Sequence, residues 1–102
     1  MSGPGDLVVI AVATARAGQE GAMLAALRAC AGPTREQPGC VSFTLLRRAD
    51  DPKVVVGLER WTSRAAHATH LQGPHIQRLM GAMGPTLAGP PDIVEYEVVD
   101  EA

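Results

Sequence analysis

Apolar and polar positions change their period several times along this chain, and each change marks an element. From Leu7 the run "LVVIAVAT" is apolar at both parities, β-branched and too short for a good helix, which predicts a buried strand over about residues 7–14. "RAG" turns the chain, after which Met23, Leu24, Leu27 and Ala31 recur at helical spacing, with Gln19, Glu20 and Arg28 elsewhere on the wheel. This predicts a helix from Gln19 to Ala31, ended by the Gly-Pro and Pro-Gly pairs of "GPTREQPG". The period then drops to two: Val41, Phe43 and Leu45 alternate with Ser42 and Thr44, "ADDPK" turns, and "VVVGLERW" follows, giving a hairpin over residues 40–62. In its second strand Val55, Gly57, Glu59 and Trp61 share a parity, and Gly57 leaves space where a side chain would fill the layer.

A second helical region starts at Thr62 or Ser63, either a suitable cap, and runs through "RAAHATHL". Gly73 and Pro74 end one helix and open another, on which Ile76, Leu79, Met80 and Met83 form a clear stripe. "GPTLAGPPD" leads back to a last strand, "IVEYEVV". The order strand, helix, strand, strand, helix, strand is that of a ferredoxin-like α+β fold, βαββαβ, with a four-stranded antiparallel sheet and two helical regions on one face. Two helical regions cover one face of such a sheet, yet "LVVIAVA" and "VVVGL" are apolar on both. A second copy on the open face resolves the mismatch, so a homodimer is expected.

Length and composition narrow the picture. A chain of 102 residues is one domain with a modest core, expected here over residues 7–99, with a flexible N-terminus at 1–6 and a tail at 100–102. Nine basic and eleven acidic side chains give a net charge of −2 without a basic stripe, which argues against nucleic acid as a partner. The longest apolar run is far short of a membrane span and "MSGPGD" lacks the basic region of a signal peptide, so a cytoplasmic location without membrane association is expected. Cys30 and Cys40 have neither redox nor zinc spacing and read as reduced structural residues.

The candidate chemistry sits in "HATHLQGPH", which holds His67, His70 and His75 and no carboxylate. As metal ligands they lack a tetrahedral third partner, a HExxH motif or a facial carboxylate, and no metal is expected. Proton handling suits them better, because an imidazole facing an apolar cavity can take a proton from an acidic carbon or hydroxyl. His75, in the first turn of its helix, would be kept neutral by the helix dipole. The plainer reading is a solvated helix face. Phe43, Trp61, Met80 and Met83 are expected to border one cavity between helices and sheet, although Trp61 and the two methionines also read as ordinary core.

"ERWTSRAAHATHLQGPH", with "PTREQPGCVSFTLLRRADDP" before it and "IQRLMGAMGPTLAGPP" after it, resembles the antibiotic biosynthesis monooxygenase family. The resemblance spans about Leu7 to Val99 and is carried by Glu59-x-Trp61, His70-Leu71, Pro74-His75 and Pro38-Gly39-Cys40. It implies a dimeric α+β barrel and an oxygenase that uses neither metal nor flavin, oxidising a polycyclic phenol, anthrone or quinol to a quinone in polyketide or antibiotic biosynthesis. The expected partners are then an aromatic small molecule and dioxygen. The resemblance implies a catalytic role for Trp61 and for His67, where a proton-handling residue often follows; the histidine chemistry adds His70 and His75 as catalytic candidates, and the pocket reading has Phe43, Gly57, Met80 and Met83 contact substrate. The chain departs from the pattern near Gly57, where some members carry an asparagine that holds the substrate oxygen. In the haem-degrading branch the axial histidine would fall near Met80, and this chain has no asparagine at all, so haem degradation is disfavoured. The same scaffold also hosts cyclases and isomerases, and a binding dimer without turnover is a further alternative.

Overall fold

The computed structural model describes residues 6–101; residues 1–5 and 102, which take in most of the expected flexible N-terminus and the end of the expected tail, lie outside the described residues. The elements are β1 (Leu7–Thr14), α1 (Glu20–Arg35), β2 (Cys40–Arg47), β3 (Val54–Trp61), α2 (Arg64–Leu71), α3 (Pro74–Met83) and β4 (Asp92–Glu97), with one turn of 3-10 helix at Gly84–Thr86. The sheet is antiparallel in the order β2-β3-β1-β4. This is the ferredoxin-like α+β arrangement, with the second helical region divided at Gly73 as the sequence indicates.

Alternation along the central strands sorts side chains between two environments. Leu7, Val9 and Ala13 of β1 and Val55, Gly57, Glu59 and Trp61 of β3 turn toward the helices and are buried. Their neighbours of opposite parity form cross-strand rows on the other face: Tyr96, Val8 and Arg60 in one, Val94, Ile10, Leu58 and Thr44 in the next, and Val12, Val56 and Leu46 in a third. Leu46, Leu58, Val94 and Tyr96 of this outer face are exposed.

The local departures from the expected boundaries have physical causes. The first helix does not stop at Ala31 but continues through Gly32 and Pro33 to Arg35. A proline in the last turn sacrifices little of the helix ladder. That turn is then locked by tertiary bonds: fully buried Thr34 donates its hydroxyl to the Cys30 carbonyl at 2.8 Å, and Arg35 Nε donates to the Phe43 carbonyl at 3.1 Å. In β2 the register shifts between Cys40 and Ser42, so Val41 does not join Phe43 and Leu45 on the inner face and is 45% exposed. A bulge of this kind adds one residue and re-aims its neighbours. The last strand begins one residue early and ends at Glu97. Among the described residues no helix is long and apolar enough to cross a membrane, and both cysteines are free.

Candidate active site

Helix α2 starts where the sequence suggests, with the Ser63 side chain accepting a hydrogen bond from the Ala66 amide at 3.0 Å. From that cap, three-residue spacing puts His67 and His70 on one face, and this face is turned onto the sheet: each histidine is 3% exposed. The reading of the three imidazoles as a solvated face therefore fails for all of them, since His75 too is buried. His67 and His70 rings lie 5.9 Å apart, and the His70 ring packs 4.7 Å from the indole of Trp61.

The carboxylate missing from the histidine segment comes from the sheet. Glu59 is 5% exposed, and its Oε1 accepts a hydrogen bond from Trp61 Nε1–H at 3.0 Å and lies 3.9 Å from His70 Nε2. The other oxygen, Oε2, lies over Gly57, 3.6 Å from where a Cβ at that position would be. A side chain longer than alanine there would compete with the carboxyl group for the same space. A second carboxylate, Glu95 of β4, approaches His67 Nδ1 at 3.4 Å through Oε2 from the partly exposed rim.

Glu59, His67 and His70 open on one apolar cavity of about 70 Å³. Its floor is Ala11, Ala13, Phe43, Val55 and Gly57 of the sheet, and its roof includes Leu27 and Cys30 of α1 and Ile76, Leu79, Met80 and Met83 of α3. Three lining side chains, Leu71, Met80 and Ile93, are 40–42% exposed and form its mouth.

Such surroundings disfavour charge. Burial pushes the Glu59 carboxyl above the ordinary glutamate range, opposed by the Trp61 hydrogen bond and by the field of His67. Burial, reinforced by His67 and His75, holds His70 down to about 4, so at neutral pH its imidazole is uncharged. The Gln37 side chain closes the far side of His70, with Oε1 against Nδ1. The cavity thus combines a carboxyl group that takes up a proton more readily than usual with a neutral imidazole beside it. That is the equipment of general acid–base chemistry. Among the described residues no group of three or more His, Cys, Asp or Glu side chains is placed to hold a metal ion.

Of the residues singled out in the sequence, Phe43, Gly57, His67, His70, Met80 and Met83 border this cavity. Trp61 does not: it is fully buried behind Glu59 and His70, in a small cluster with Leu7 and Val9, and reaches the site only through its N–H. His75 does not border it either. Its ring packs 5.4 Å from that of His70, it lines a groove between α1 and α3 instead, and its Nε2 is buried without a partner. Sequence reasoning assigned no site role to Glu59, Gln37 or Glu95. For Glu59 a signal existed, since a lone glutamate shares its parity with buried Val55, Gly57 and Trp61.

The comparisons with known proteins agree with this architecture. Residues 6–82 match the family model described as antibiotic biosynthesis monooxygenase. A Mycobacterium tuberculosis protein named "Putative monooxygenase Rv0793" is 33% identical over 96 residues, 94% of each chain. Its solved structure superposes with a TM-score of 0.89 over 96% of this chain and 99% of the other. A Nitrosomonas europaea structure titled "Putative antibiotic biosynthesis monooxygenase" is 26% identical, with a TM-score of 0.88 over 92% of this chain and 99% of that one. The chain belongs to the antibiotic biosynthesis monooxygenase family.

Proposed function

We propose, from family membership and the chemistry of the cavity together, that this protein is a monooxygenase that needs neither metal nor flavin and oxidises an electron-rich phenol, anthrone or quinol to a quinone, as in the tailoring of aromatic polyketides. The observation that carries the reading is Glu59: a buried carboxyl group, anchored through Oε1 by Trp61, with Oε2 over Gly57 in an apolar cavity beside a neutral His70.

For an anthrone the steps balance as follows. Glu59 takes a proton from the activated methylene, and the resulting carbanion gives one electron to dioxygen. The two radicals combine to a peroxide, which takes back a proton and loses water to leave a carbonyl. One dioxygen is consumed, one of its atoms enters the product and the other leaves as water. The dry cavity protects the carbanion from reprotonation by solvent and strengthens each electrostatic contact.

Size limits how the substrate sits. Aliphatic and aromatic walls hold benzene in a cavity of about 150 Å³, about twice the space present here. Only the reacting edge of a polycyclic substrate fits between Glu59 and Phe43, and the remaining rings pass out between Leu71, Met80 and Ile93. A cyclase or isomerase is the second reading, favoured by the pairing of carboxyl and imidazole, because a proton shift requires nothing else. The bare outer sheet face supports a homodimer, which sedimentation would register as twice the chain mass and a stable monomer would contradict.

Dioxygen uptake by chelator-treated, flavin-free protein with a panel of anthrones and hydroquinones tests the reading. One dioxygen per substrate and a quinone product are expected. Rearrangement of substrate without uptake would establish the cyclase or isomerase instead, and binding without conversion would leave a ligand-holding dimer.

A further inference from the structure

His70 has two neutral forms, and only one leaves a lone pair facing the carboxyl group of Glu59. A proton on Nε2 would have Glu59 Oε1 as its nearest acceptor, but the separation is 3.9 Å and that oxygen already accepts from Trp61. The proton would then be buried without a partner, an unfavourable arrangement. A proton on Nδ1 meets the Gln37 side-chain oxygen directly.

Gln37 is held in place for this. It lies in the turn between α1 and β2, where its own amide donates to the Thr34 carbonyl at 3.1 Å and its carbonyl accepts from the Cys40 amide at 3.1 Å. Two residues on, Gly39 adopts φ +88°, and a Cβ there would come within 2.5 Å of the Ala66 Cβ on α2. Glycine therefore lets the turn lie flat against α2, and the Gly39 carbonyl is fixed by the Thr62 amide at 2.8 Å. The turn and the helix that carries His70 are joined as one unit.

We propose that Gln37 is a positioning residue that fixes the tautomer of His70, keeping the proton on Nδ1 and the Nε2 lone pair toward Glu59. The Nε2 lone pair then faces the site as a hydrogen-bond acceptor beside Glu59, while Gln37 touches neither substrate nor the reacting atoms. This use of the lone pair rests on the function proposed above; the tautomer itself does not. The ionisable groups facing His70 are Glu59 from β3, His67 from its own helix and His75 from α3, and burial with the two histidines keeps the ring uncharged at neutral pH.

Nitrogen-15 NMR of histidine-labelled, ligand-free protein at neutral pH reads the tautomer without any substrate. The expected spectrum for His70 has a protonated Nδ1 and an unprotonated Nε2. In Gln37→Leu the preference should be lost or inverted, and in Gln37→Glu, which conserves size and adds a carboxylate, the His70 titration should move up by about one unit or more. A wild-type Nε2–H tautomer overturns the proposal, as does an unchanged tautomer in folded Gln37→Leu. If Gln37→Leu does not fold, the wild-type tautomer and the Gln37→Glu titration decide. The expected tautomer in a protein that consumes no dioxygen would leave this assignment standing and remove the oxygenase reading.

Discussion

At one end of the layer between sheet and helices, Ala13, Ala15, Met23, Val55, Met83 and Leu87 pack as an apolar cluster with Leu24, Leu27, Leu45 and Leu79 around it. At the other end Leu7, Val9 and Trp61 form a much smaller cluster, and the adjoining buried volume is given to Glu59, His67, His70 and His75. Both ends are formed by the same two strands, β1 and β3, paired so that Ala13 faces Val55 and Leu7 faces Trp61. Burying a carboxyl group and three imidazoles costs free energy that burying methyl groups supplies, so the polar end has to be carried by the apolar one. Substitutions at the apolar end should therefore act mainly on stability, and those at the polar end mainly on chemistry.

The largest expected effect on stability lies at the apolar end. Met23 is fully buried, and Met23→Ala should cost about 2–5 kcal/mol in denaturant unfolding, the range for a large side chain removed from a packed core. Glu59→Gln sharpens the contrast. The folded-state carboxyl titrates above its unfolded value, so its ionisation takes stability away as pH rises through that interval, and none returns at higher pH. An amide keeps an oxygen for the Trp61 N–H and carries no charge, so Glu59→Gln should be at least as stable as wild type at neutral pH. A Glu59→Gln protein destabilised as much as Met23→Ala would contradict this separation.

Acid should strike the polar end next. The folded-state value of His70 is depressed from 6.5 to about 4, so the stability tied to its neutral form is complete above about 6.5 and is lost as pH falls toward 4. At about 1.4 kcal/mol per unit the loss is at most about 3.5 kcal/mol. His70→Gln should show a shallower fall over the same interval in urea unfolding; a superimposable profile would place the acid sensitivity elsewhere.

The smallest effect is expected at Gly57, whose Cβ position has only ordinary contacts, 3.6 Å from Glu59 Oε2 and 3.8 Å from the Ala11 Cβ. Gly57→Ala should change stability by less than about 1 kcal/mol and weaken binding of an aromatic ligand a few-fold, measured by calorimetry. Loss of folding on so small an addition would mean that the space under Glu59 is already filled.

The apolar end was the more legible in the sequence. Period two in "VVVGLERW" and the stripe Ile76, Leu79, Met80 and Met83 are local patterns, and they located β3 and α3 and with them seven of the nineteen residues that line the cavity. The polar end depends on contacts between distant segments, which no local pattern carries. Glu59 meets His70 only because β3 lies under α2, Gln37 reaches it from 33 residues away, and Glu95 approaches His67 from the opposite edge of the sheet. The bulge at Val41 and the extension of α1 past Pro33 were hidden for the same reason, being fixed by pairing with β3 and by the side-chain bonds of Thr34 and Arg35. Composition alone left the solvated-face reading open, because a segment with three histidines is polar, whereas all three are buried.

Turnover of Glu59→Gln against wild type, followed as dioxygen uptake with an anthrone or hydroquinone that the wild-type protein oxidises, decides whether Glu59 takes the substrate proton. If Glu59 is the base, kcat should fall by about a hundredfold to ten-thousandfold in a protein that is folded and no less stable. His75→Ala, altered outside the cavity, should keep turnover within about tenfold of wild type. Glu59→Gln turning over at the wild-type rate would contradict the account, and the proton would have to be taken by another group.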